Sequence, residues 1–209
     1  MEITPMQRCR RCAWWSNVKR PSWGEYGCQI QLGFSSGEVK NPKEPAVIAD
    51  LEKILIAAEP EVVYLLADKH DTHVSVALRA LTALRKLPEE IRPRKVYGCE
   101  VWRGLDWMND EDKQMLGASS RTNIAASLVG VFDSQVTGGK RYDLATAGRR
   151  LANATYYAPH GTDEESALNW GMDLTPLVAD PSIDVVKYVL EFVDRFRSDV
   201  EKRVQSWAG

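Results

Sequence analysis

No apolar run in this chain approaches the ~20 residues needed to span a bilayer, and its start lacks the apolar core of a signal peptide. With neither anchor nor export signal, the expectation is a cytoplasmic protein without a membrane partner. Charge of one sign is lacking too. A formal net charge of -2 leaves no electrostatic footprint for nucleic acid. Cysteine is sparse, and the four thiols read as reduced in that compartment. Cys9 and Cys12 form a C-x-x-C. A zinc ribbon would need a second pair at similar spacing, but Cys28 and Cys99 stand alone. No strand precedes the pair, as a redox motif requires. Several fingerprints are absent: no G-x-S-x-G elbow, no G-x-G-x-x-G after a strand, and no complete P-loop, since "TGGKR" has Ser134 and Arg141 at two key positions.

Residues 1–25 set Arg8, Arg10, Arg11, Lys19 and Arg20 among Trp14, Trp15 and Trp23. Basic and aromatic groups together can bind single-stranded nucleic acid; the plainer reading, an irregular or helical terminal segment, is preferred. From residue 26 onward the pattern is regular, and the 209 residues suit one main domain. "CQIQLGF" alternates and predicts a strand. "AVIADLEKILIAAE" places Val47, Leu51, Ile54 and Leu55 on one helical face. "EVVYLL" predicts a buried strand, with a helix from about Thr72 to Leu87 and a strand at "RKVYGCEVW". The alternation predicts an α/β fold with a mostly parallel sheet and flanking helices.

The second half predicts mainly helices, at "TNIAASLVGVF", "DLATAGRRLANAT" and "DEESALNWGM". Asp180 and Pro181 are expected to open a last helix. Its stripe of Val185, Val189, Val193, Phe196 and Val200 reads as core packing.

Histidine is the scarcest titratable residue, with three in the chain, yet His70 and His73 stand three positions apart. The strand ending at Leu66 delivers Asp68, Lys69 and His70 to its C-terminal edge, where open α/β sheets bind ligands. Ser75, Arg79, Thr82 and Lys86 recur at helical spacing and predict a solvent face. At 100° per residue, His73 lies about 160° from Ser75 and is expected to point inward. Asp68 and Asp71 are placed to orient the imidazoles by accepting a ring N–H. H-x-x-H is not the zincin H-E-x-x-H, so the pair reads as one ligand and one catalytic group.

With these residues the chain resembles the LmbE-like (PIG-L) family of zinc-dependent N-deacetylases. The sharpest part is "VVYLLADKHDTHVSVALRAL", similar to the family's His-Pro-Asp-His after an apolar strand. "VYGCEVWR", "SLVGVFDSQ" and "MDLTPLV" are softer matches, in the same order. The resemblance runs from about Gln29 to Phe196. It implies a Rossmann-like fold and a hydrolase that removes an N-acetyl group from an amino sugar or its conjugate.

By motif position His73 resembles a zinc ligand, and His70 the histidine that stabilises the tetrahedral intermediate and helps the amine leave. Asp68 and Asp71, flanking the pair, are expected to serve as catalytic carboxylates. Trp102 and Arg103, ending the next strand, are expected to meet the substrate, by stacking on a sugar ring and by holding its oxygens.

Two departures stand out. Thr72 occupies the family's Asp position before the second histidine. The family's other zinc ligands and general base lie in an upstream His-Pro-Asp-Asp-Glu, and no such run precedes His70. The expectation is a deacetylase domain over residues 26–209 that is incomplete on its N-terminal side, with poor zinc binding and no turnover on its own. A non-catalytic sugar-binding or regulatory remnant is the alternative. His160, Asp163 and Glu164 repeat the relative spacing of the missing motif, with Thr162 where the base would stand.

Overall fold

The computed structural model describes residues 26–66, 68–157 and 160–208. Cys9, Cys12 and the basic, Trp-bearing start lie outside the described residues. The chain divides into two compact units, one of Leu32–Leu116 with Trp170–Gly209 and the other of Met1–Gln31 with Gly117–Asn169. They are called here the sheet unit and the helical unit.

In chain order the elements are α1 (Ser36–Lys40), α2 (Ala46–Ala58), β1 (Val62–Leu66), α3 (Asp71–Lys86), β2 (Lys95–Cys99), β3 (Gln114–Gly117), α4 (Thr122–Gly130), α5 (Asp133–Val136), α6 (Tyr142–Ala154), β4 (Leu168–Asp173), α7 (Thr175–Ala179) and α8 (Val185–Trp207). The strands form one sheet in the order β1-β2-β4-β3. Among the described residues no helix is long and apolar enough to cross a membrane.

The fold is α/β, but the sheet is mixed. β1 and β2 run parallel, Val62 opposite Lys95 and Leu66 opposite Cys99. β4 runs antiparallel to β2, with Tyr97 opposite Asp173. The expectation of a mostly parallel sheet is corrected on this point, and the cause is local. "DEESALNWGM" was expected to be a helix, yet Leu168, Trp170 and Met172 are buried at every second position, which is the period of a strand. "CQIQLGF" is also corrected: residues 28–34 form neither strand nor helix. Alternation alone makes no strand without a neighbour to share its backbone hydrogen bonds.

Helix α3 anchors the sheet unit. Its Ala77, Ala80, Leu81 and Leu84 are buried, and it packs on α1, α2, β1 and α7. Asp71 in its first turn and Arg85 and Lys86 in its last complement the helix dipole. The predicted solvent face is borne out only at Lys86, which is exposed. Ser75, Arg79 and Thr82 are half-buried, Arg79 donates to the Val39 carbonyl at 3.4 Å, and Lys86 pairs with Glu52 at 2.7 Å. That side runs along α1 and α2, whose presence the polar spacing could not announce.

Arg85 fastens the far end of α3, donating to the carbonyls of Leu177 at 2.6 Å and Ile183 at 2.8 Å. α8 opens at Asp184, whose side chain accepts from Lys187 N–H at 2.8 Å. Asp180 instead accepts from the N–H and hydroxyl of Ser182 in the turn before it. Of the α8 stripe, Val185, Val189, Val193 and Phe196 are half-buried beside buried Phe192, while Val200 is exposed.

Candidate functional site

Because β1 and β2 run parallel with Leu66 opposite Cys99, residues 68–70 and 100–103 leave the sheet at one edge. Asp68 is 5% exposed there. Its Oδ1 accepts the His70 backbone N–H at 3.1 Å and lies 2.7 Å from His73 Nδ1. The first contact folds the strand-to-helix turn, and the second ties that turn to the first turn of α3. With Asp68 as a carboxylate, the ring bond requires the proton on Nδ1, which in the neutral imidazole leaves Nε2 of His73 with its lone pair. Asp68 Oδ2 is buried and, among the described residues, has no hydrogen-bond partner.

His73 shares a helical face with Ala77, Ala80 and Leu84, all of them buried; its side chain remains 38% exposed. His70 is the residue that precedes α3 and is exposed. Its carbonyl accepts Val74 N–H at 3.0 Å. The two imidazole rings stand 4.7 Å apart with a 37° tilt. Asp68, His70 and His73 therefore form one cluster. Asp71 is exposed, and among the described residues the ring hydrogen bond of His73 goes to Asp68. Thr72, at the family's Asp position, is half-buried.

On the β2 side, Trp102 and Arg103 are exposed beyond the strand, and Arg103 has no hydrogen bond or ion pair among the described residues. The residue that shapes their loop is Glu100, 5% exposed. It accepts Leu105 N–H at 2.9 Å and the Trp107 indole N–H at 3.4 Å, closing residues 100–107 on themselves. Leu105 sits at a φ of 54°, a left-handed conformation that the loop imposes. Sequence reasoning missed Glu100. Its signal was a lone acidic residue inside the apolar run "VYGCEVW". Cys99, beside it, is half-buried, and burial pushes its thiol up to about 11, so it stays protonated at neutral pH.

His160 and Asp163 belong to the helical unit and are exposed. The Asp163 carboxylate accepts Tyr156 N–H at 3.1 and 3.0 Å, so it is engaged in a local turn. Among the described residues there is no group of three His, Cys, Asp or Glu side chains that could hold a metal ion. Compared with family models, curated proteins and solved structures, the chain matches none.

Proposed function

We propose that the edge carrying Asp68, His70 and His73 is the histidine half of an N-deacetylase site of the LmbE-like type, on a Rossmann-like fold, acting on an N-acetylated amino sugar or its conjugate. The observation that carries this reading is the 2.7 Å contact between Asp68 Oδ1 and His73 Nδ1. A carboxylate that holds one imidazole nitrogen and leaves the other bare is how proteins orient a metal-binding histidine. In such a site a zinc ion, if held, would supply polarisation of the acetyl carbonyl and activation of water.

A catalytic zinc takes three protein ligands and keeps one position open. The described residues do not fit it: His73 offers one nitrogen, and no three-donor group forms. The chain's own residues carry the remaining work. Asp68 sets the tautomer and direction of His73. His70, its ring beside that of His73, stabilises the oxyanion when cationic and gives a proton to the departing amine. Trp102 stacks on a sugar ring, and Arg103 holds hydroxyl or phosphate oxygens.

The missing donor group favours a second reading, sugar binding without catalysis. Two measurements on the purified chain separate them: bound metal, and acetate release from simple N-acetylglucosamine compounds. About one zinc per chain, with turnover abolished by His73→Ala, supports the enzyme. Sugar binding with little zinc and no turnover supports the remnant. If N-acetylglucosamine leaves the signals of Trp102, His70 and His73 unmoved in NMR, both readings fail.

A further inference from the structure

The helical unit holds a cleft of about 200 Å3. Its two long walls share one sequence rule. On α4, Ala125, Ala126 and Val129 line it, and on α6, Asp143, Thr146, Ala147 and Arg150. Spacings of three and four place each set on one helical face. Alanines at the middle of both walls are too short to close the gap, so the space stays open. The chain closing one side is pinned, with Ser119 Oγ accepting the N–H groups of Ser166 and Ala167 at 2.8 and 3.0 Å.

The charges around the cleft are unequal. Asp143 takes two hydrogen bonds from the Arg141 guanidinium, at 3.0 and 2.7 Å. They hold its carboxyl below the usual range, so its negative charge already has a counter-charge. Arg121 and Arg149, the other arginines among the described residues of this unit, also have interactions. Arg150 is half-buried and, among the described residues, has neither a hydrogen bond nor an ion pair. A guanidinium in that position presents a fork of donors that matches a carboxylate. The cleft is open to solvent, with Ala126 and Ala147 exposed at its walls, and its volume suits a small ligand. Clefts for drug-sized molecules run to roughly 300–1,000 Å3, whereas an apolar cavity of about 150 Å3 accepts benzene.

We propose that this cleft binds a small monocarboxylic acid, its apolar body between the alanine walls and its carboxylate on Arg150. The site is independent of the Asp68 cluster and of the activity proposed for it.

Benzoate is the probe, and benzamide is its neutral counterpart of the same shape. Both are titrated into the full chain while the backbone amide signals of Ala125, Ala126 and Ala147 are followed by NMR. Saturable shifts are expected with benzoate, and binding at least about tenfold weaker with benzamide. Arg150→Gln should erase that difference, and Ala126→Leu, which fills the cleft, should weaken both ligands about tenfold. Among the described residues Arg150 has no hydrogen bond or ion pair to lose, so Arg150→Gln should keep the wild-type unfolding midpoint and decides the matter even if Ala126→Leu fails to fold. Shifts that never saturate, equal affinity for the two probes, an unchanged preference in Arg150→Gln, or full binding by a folded Ala126→Leu would each overturn the proposal.

Discussion

Replacing Arg85 with methionine keeps an unbranched apolar stem and removes the guanidinium that ties α3 to the chain around α7. Two carbonyls lose their donor, Leu177 at 2.6 Å and Ile183 at 2.8 Å. Leu177 is fully buried, so water does not readily replace the lost bond there. Hydrogen bonds from a charged donor are worth about 1.5–3 kcal/mol each. Arg85 is only half-buried, and part of the second bond is recovered from solvent. The expected loss is therefore roughly 2–4 kcal/mol. In urea, with a slope of about 2 kcal/mol per molar, the unfolding midpoint should fall by about 1–2 M. Arg85→Lys, which keeps the charge and reaches one carbonyl, should recover part of the loss. A change below about 0.5 kcal/mol, the range of ordinary surface substitutions, would refute the idea that this guanidinium fastens the helix bearing His73.

Glu100→Ala leaves the N–H groups of Leu105 and Trp107 without their acceptor; a loss of about 1–3 kcal/mol is expected, with faster amide exchange confined to residues 101–107. Burial raises the Cys99 thiol to about 11, so alkylation of Cys99 in the folded chain should stay slow at neutral pH and accelerate only as pH nears that value. The linkage has a definite sign. The folded state holds the Cys99 proton more tightly than the unfolded chain, so its contribution is intact below about pH 9. Stability then falls as pH rises toward about 11, by at most ~1.4 kcal/mol per pH unit; a Cys99→Ser variant with the same alkaline decline would contradict this.

Much of the sheet unit was legible because its elements are periodic. The "VVYLL" run, the helix after it and the strand at "KVYGC" form where their spacing put them, but Val62, Tyr64 and Leu66 are exposed, so β1 is not the buried strand expected; the turn after it carries the histidines to the sheet edge. β4 was illegible for the opposite reason. Its alternation spans only six residues and follows "DEESA", whose residues favour a helix. Within the site, the histidines and Asp68 could be singled out by composition and position. Which aspartate meets which ring could not, because the Asp68–His73 bond joins residues five apart across a bend, a distance no helical or strand period encodes. Glu100 escaped notice because its partners, Leu105 and Trp107, are set by a loop with no period of its own.

The account turns on Asp68 holding His73 by Nδ1 and leaving Nε2 bare. Long-range proton–nitrogen NMR of the nitrogen-15-labelled chain reads this directly, at a pH about two units above the ordinary imidazole value of ~6.5. His73 should carry its proton on Nδ1, and Asp68→Ala should abolish that preference while His70 is little changed. A His73 ring protonated on Nε2 in the wild-type chain, or one indifferent to Asp68→Ala, would contradict the site's central arrangement.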